Sequence, residues 1–332
     1  MRYSSLLVLS AFFIVNIFLA GCKYPNSTLP PPTWSQLPAL PSIFREEASS
    51  FSIGKNGYFG LGFGNTDGQY RINVTHNDDL WEFNIVAKTW RRVADFKGGK
   101  RSGATSFSIN GRGYVAFGYS TTCPANGVCE FIYYDDIWEF NPDTNSWSKV
   151  TTYTSSSGIR YAEVFVISSK AYILTGTECL EFDPATRSIR KRTASSLGLF
   201  GGVFTLNNKG YVLLGDPDIE QNKRVYEYDP KTDVWTRKND FPGKPRILPI
   251  SFSINGYGYC GSGYQRGNPY QHFRDFWQYN PTNDKWTQIE DYPGVGVAWL
   301  QSMVFSDNVV VGAGHGADPL KYDNNFWLFQ RK

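Results

Sequence analysis

Apolar and polar residues alternate one for one in short runs along most of the chain, and each run stops at Gly, Asn, Asp or Pro within a few residues. The stretch Phe107-Ser108-Ile109-Asn110-Gly111-Arg112-Gly113-Tyr114-Val115-Ala116-Phe117-Gly118 is the clearest copy: an alternating run, an Asn-Gly turn, and a second, apolar run that ends at glycine. Such a period predicts half-buried strands joined by hairpins. Further on, Leu80-Trp81-Glu82-Phe83 alternates in the same way and returns as Ile137-Trp138-Glu139-Phe140, Leu180-Glu181-Phe182, Tyr226-Glu227-Tyr228, Trp277-Gln278-Tyr279 and Trp327-Leu328-Phe329. Seven residues after the closing aromatic stands Trp90, Trp147, Trp235 or Trp286, with Ile189 in the weakest copy. Each repeat therefore reads as four short strands: an inner one, one ending at glycine, one carrying the Trp-Glu-Phe alternation, and an outer one opened by Trp. An aromatic content of 17% with 32 Gly and 18 Pro suits strands and tight turns, and little helix is expected.

Aligned on the inner strand, the copies place Phe51, Phe107, Phe165, Phe204, Phe252 and Met303 in one column and Gly62, Gly118, Gly176, Gly215, Gly263 and Gly314 in another. With turn initiators such as Asn141-Pro142, Asp183-Pro184 and Asp229-Pro230, these residues resemble the kelch repeat over residues 33–330. They depart from it in having single rather than doubled glycines. The resemblance implies an all-β fold: a six-bladed β-propeller of four-stranded antiparallel blades with inner strands near residues 51, 107, 165, 204, 252 and 303. The last copy ends without a Trp strand, while Thr33-Trp34-Ser35-Gln36-Leu37 looks like that strand moved to the front. The amino-terminal strand is thus expected to complete the last blade and remove an open edge, so that residues 33–332 form one domain.

Ahead of it, Arg2 and the apolar stretch Leu6 to Leu19 read as a signal peptide over residues 1–21. Leu19-Ala20-Gly21-Cys22 resembles a bacterial lipobox, which implies lipidation of Cys22 and, with Lys23 following it, a cell-envelope protein anchored in the outer membrane of a diderm bacterium. Residues 22–32, ending in Pro30-Pro31-Pro32, form a stiff spacer. Of five cysteines, setting Cys22 aside leaves four. Cys123 and Cys129 bracket one loop and are expected to pair, while Cys179 and Cys260 read as buried thiols. A net charge of +3 without a basic stripe gives no reason to expect nucleic acid as a partner.

Spacings of 56, 58, 39, 48 and 51 residues between the inner-strand landmarks put extra loop in blades one, two and five. Those loops carry Tyr70, Tyr119, Tyr133, Tyr134, Tyr264 and Tyr270, flat rings suited to stacking on sugars or peptides or to packing the loops down. Arg45, Arg101 and Arg246 stand six residues before the landmark, with Arg160 one step out of register. They either ring the channel mouth, as candidates for an anionic ligand, or brace neighbouring loops. His76, His272 and His315 fall in loops of blades one, five and six, a weak basis for a metal site; no cofactor is expected.

Three functions are compatible with the resemblance. A copper enzyme like galactose oxidase lacks a recognisable ligand motif here. An enzyme that interconverts sialic acid anomers would need a carboxyl and an arginine at the channel, for which Glu163 and Arg160 are the candidates. With no stronger catalytic constellation, the sequence favours a non-catalytic module, tethered to a membrane, that binds a glycan or an envelope protein.

Overall fold

In the computed structural model the described residues are 31–66, 68, 75–122, 129–194, 201–214, 222–267, 271–316 and 322–330. Among them all regular structure is β-strand, and six sheets have four antiparallel strands each. Blade one is Ser49–Ile53, Asn56–Gly60, Leu80–Asn84 and Thr89–Val93. The inner strands of the next four blades are Thr105–Ile109, Glu163–Ile167, Gly201–Leu206 and Ile250–Ile254. Blade six is Gln301–Val304, Asn308–Gly312, Phe326–Gln330 and, as its fourth strand, Thr33–Leu37. Each inner strand lies against the next, and Gln301–Val304 returns to Ser49–Ile53, which closes a ring around a central channel. This is a β-propeller.

The repeat signature has a packing reason at every landmark. The inner-strand Phe stacks on a Tyr of the second strand: Phe51 on Tyr58, Phe107 on Tyr114, Phe165 on Tyr172, Phe204 on Tyr211 and Phe252 on Tyr259, with centroids 5.0–5.5 Å apart. That pair then meets the third-strand aromatic of the following blade, as Tyr58 meets Phe140 and Tyr259 meets Phe329. Successive blades are therefore joined by aromatic contacts, which add specific geometry to apolar burial. The Glu of the Trp-Glu-Phe element faces the same Tyr across the ladder and accepts its hydroxyl, Tyr58 to Glu82 at 2.9 Å and Tyr114 to Glu139 at 2.6 Å. The column of glycines closing the second strand has φ between 81° and 92° at residues 62, 118, 176, 263 and 314. At Gly62 and Gly118 a Cβ would also strike the carbonyl oxygens of Glu46 and Ser102, so both sterics and dihedral demand glycine.

Trp34 confirms the closure. It pairs with Phe329 in the register that joins Trp90 to Phe83, Trp147 to Phe140 and Trp235 to Tyr228. Trp90, Trp147 and Trp235 donate their indole N–H to a carbonyl just past the outer strand of the preceding blade, Pro38, Ala94 and Thr193 respectively, at 2.9–3.1 Å. In blade three Ile189 takes the same register opposite Phe182 and fills the space without that hydrogen bond.

Candidate functional site

The inner strands are not laddered to one another, and serine hydroxyls join several of them. Ser106 Oγ accepts the Ser50 N–H and donates to the Ser50 carbonyl, both at 2.9 Å. Ser251 Oγ does the same to Val203 at 2.7 and 2.9 Å, and Ser50 Oγ reaches the Ser302 carbonyl at 3.0 Å. Inside this ring lies a cavity of about 510 Å³, within the size range of small-ligand sites.

The lip of the cavity is built by the residues four places before each landmark: Glu47, Gly103, Tyr161, Leu248 and Trp299 all line it and all have φ between 53° and 59°. Backbone hydrogen bonds run along part of this lip, Gly103 N–H to the Glu47 carbonyl at 3.1 Å and Tyr161 N–H to the Gly103 carbonyl at 2.8 Å. A left-handed backbone costs a non-glycine residue about 1–2 kcal/mol. Glycine meets the need in blade two, so Glu47, Tyr161 and Trp299 hold strained positions that put a carboxyl, a phenol and an indole at the mouth. Tyr161 OH donates to Tyr119 OH at 3.0 Å, which donates to Glu47 Oε2 at 2.8 Å. Burial and the Glu47 charge push both phenols far up, so they act as neutral donors. The Trp299 ring lies 5.0 Å from that of Tyr161.

Glu163 stands just inside the lip on the blade-three inner strand, beside Ala162, Val164 and the Gly201 of the next strand. Among the described residues its carboxyl has no hydrogen-bond or ion-pair partner, and burial pushes it up to about 8. A carboxyl that is predominantly protonated at neutral pH, yet faces a cavity, can give and retake a proton. Arg160, directly before the lip's Tyr161, lies over the rings of Tyr119, Phe131 and Tyr161 at 5.3 Å each and Tyr133 at 5.8 Å. Among the described residues no carboxylate is paired with it, and its guanidinium is held by these ring faces.

Arg45, Arg101 and Arg246 do not ring the mouth. Each is buried and bound to the Asp at the head of the third strand of its own blade: Arg45 to Asp79 at 2.5 Å, Arg101 to Asp136 at 2.6 Å and Arg246 to Asp275 at 2.7 Å. Each also donates to a carbonyl at the end of the second strand, Leu61, Phe117 or Ser262, and the Asp accepts a Trp indole N–H two residues on. These arginines brace loops and are unavailable to a ligand. Burial alone would push Asp79 up, but Arg45, Trp81 and Ser42 outweigh it and hold the carboxyl at about 2; Asp275 is lowered in the same way. A depressed carboxylate stabilises the fold above its unfolded value of 3.8 and loses that contribution as pH falls towards 2. We therefore expect the urea midpoint to drop between pH 4 and 2. Arg246→Met, which strands Asp275, should cost about 3–5 kcal/mol at pH 7 and lessen the acid sensitivity.

The remaining candidates divide. Tyr134 covers Arg101 at 3.7 Å and belongs to its brace. Tyr264 pairs with His272 in a short hairpin, away from the cavity lining. Tyr119 is part of the lip network, and Tyr133 stacks on Phe131 in a hairpin strand that is exposed throughout. Tyr70, Tyr270, Cys123 and Cys22 lie outside the described residues. Cys129 is disulfide-bonded; Cys179 and Cys260 are buried free thiols, both pushed up to about 12 by burial. The histidines do not converge. His76 accepts the Thr121 N–H at Nε2 (3.0 Å), so its Nδ1 carries the proton given to Ser102 Oγ at 2.7 Å. His315 binds Glu46 at 2.7 Å and lies 6.4 Å from the His272 ring. Among the described residues no group of three His, Cys, Asp or Glu could hold a metal ion. Sequence reasoning missed Glu47, Tyr161 and Trp299.

A β-propeller whose channel wall carries Glu163 and whose lip carries Glu47, Tyr161 and Trp299 is the class that fold and site define. No family model matches the chain. It is 25% identical over 210 residues to the N-acetylneuraminate epimerase of Pasteurella multocida (strain Pm70), which covers 62% of this chain and 49% of that protein. To the N-acetylneuraminate epimerase of Escherichia coli (strain K12) it is 26% identical over 208 residues, 63% of this chain and 51% of that protein. The chain thus spans about half the length of the curated relatives it matches. A solved structure titled "Structure of YjhT" superimposes on 87% of this chain and 95% of its own with a TM-score of 0.69 at 18% identity, which bears on the fold alone. These relatives overturn the expectation of a non-catalytic binding module, and with it the expectation that the chain is no enzyme: the proteins it resembles carry an enzyme's name.

Proposed function

We propose that this propeller interconverts the anomers of N-acetylneuraminate or a close acidic sugar at the mouth of its channel. The observation that carries the reading is Glu163, a carboxyl on the cavity wall that has no hydrogen-bond or ion-pair partner among the described residues and is pushed up to about 8 by burial. The curated relatives support it, and so does Arg160, whose planar donors suit a sugar carboxylate. In the reaction the anomeric hydroxyl loses its proton, the bond from the anomeric carbon to the ring oxygen breaks, and the ring oxygen gains a proton. Reclosure on the opposite face reverses both transfers. Protonated Glu163 supplies the ring-oxygen proton and takes it back on closure. The Glu47 carboxyl, held by Tyr119, is the group on the same lip that can receive the hydroxyl proton. Trp299 and Tyr161 offer ring faces to the sugar. The leader and Cys22 belong to this proposal as the device that places the enzyme in the cell envelope.

The test is to add the protein to freshly released α-anomer and follow the anomeric equilibrium by proton NMR. Acceleration over buffer is expected at micromolar protein; a rate equal to that of buffer would reject the reading.

A further inference from the structure

Residues on either side of each inner-strand landmark face the channel: they are partly exposed while the landmark between them is buried, and all twelve line the cavity. Their chemistry is unevenly distributed. Blades one, two and five present serines at both positions, Ser50 with Ser52, Ser106 with Ser108, and Ser251 with Ser253; blade six presents Ser302 above Val304. Blade three presents Val164 and Val166, and blade four Val203 above Thr205. At the level just before the landmarks the wall is thus a hydroxyl arc of Ser251, Ser302, Ser50 and Ser106 facing a narrow apolar arc formed by Val164, which follows Glu163 in its strand, and Val203. The apolar arc also accounts for the displaced titration of Glu163, since a carboxyl above valines and glycine is poorly solvated.

A pyranose carries hydroxyls around most of its rim, and an N-acetylated one carries a single methyl. Resting on the proposed reaction, we infer that Val164 and Val203 form the N-acyl pocket and select an acetyl over an acyl group that carries a hydroxyl. The carboxylate points out towards Arg160, the anomeric carbon lies at Glu163, and the acyl methyl lies against the two valines. A hydroxyl placed there would lose its water and find no partner. Apolar pockets discriminate against an added hydroxyl by roughly tenfold to hundredfold.

The experiment compares N-acetyl- with N-glycolylneuraminic acid in the wild type and in V164T/V203T, which keeps side-chain shape while adding hydroxyls. Both kcat/KM for anomer interconversion and dissociation constants by titration NMR are measured. The wild type should prefer the acetyl sugar by at least tenfold in binding and in kcat/KM, and the double variant should lower that ratio about tenfold with its melting midpoint little changed. Equal treatment of both sugars by the wild type, or an unchanged ratio in the variant, overturns the inference. Acyl-dependent binding without any turnover would keep the pocket and remove the enzymatic reading instead. If the double variant fails to fold, V203T alone is read by the same ratio.

Discussion

If the proposed reaction is the protein's own, replacing Glu163 by glutamine is expected to lower anomer interconversion by roughly 10²–10⁴-fold, the usual worth of a positioned general acid or base, while sugar binding changes little. The amide keeps the shape and cannot cycle a proton. The pH profile separates this from a structural effect. Because the carboxyl is held at about 8, its acid form is full below that value, and the wild-type rate should fall as pH rises past 8 at constant substrate. The glutamine variant should lose this limb and keep only a shallow residual rate. A variant that retains both rate and limb would remove Glu163 from the chemistry. A collapse of the melting midpoint would assign it to the fold.

Deleting residues 33–41 should leave a chain that aggregates or unfolds, since it takes away the fourth strand of blade six. Thr33–Leu37 pairs along its whole length with Phe326–Gln330, and its loss would expose the edge of that strand and the pocket filled by Trp34. That indole touches the rings of Phe276 and Tyr292 at 5.3 Å and Phe329 at 4.8 Å. Trp34→Ala alone should cost about 3–5 kcal/mol, the range for a large aromatic removed from a core, although the ring is only partly buried. Urea melts and size-exclusion chromatography report both effects. A monomeric deletion protein with wild-type stability would show that the two ends of the chain do not hold the ring closed.

The parts of this molecule that were legible in the sequence are those that recur at fixed offsets. The Phe column, the glycine column and the Trp column each solve one packing problem six or nearly six times, and repetition makes them visible. Arg45, Arg101 and Arg246 were equally visible, but their shared place fitted a ligand ring as well as a loop brace. Where the arginine is missing, at Ile159, Gly198 and Val297, the Asp at the head of the third strand is missing too, replaced by Glu178, Arg224 and Asn325. That joint loss within one chain was a readable sign of an internal pair. Glu163 could be named because it breaks its column, standing where other blades carry Ser, Thr, Gly, Ile or Gln. The lip escaped notice because its common property is a left-handed backbone, which Glu47, Tyr161, Leu248 and Trp299 adopt without any shared side-chain chemistry. Only the structure shows that these unlike residues occupy one position.

The serine hydroxyls that tie neighbouring inner strands bear on how such a channel can change over generations. In blades one, two and five a residue facing the channel is also a stitch between blades, so a new side chain there alters the channel wall and loosens the ring together. Val164 and Val203 carry no stitch of their own; Val203 is held through its backbone alone. Variation that retunes the substrate without risking the scaffold is therefore channelled into blades three and four, the sector that also holds Glu163. On the proposed function, a lineage of such propellers would diversify its ligands from that sector while the opposite wall stays fixed.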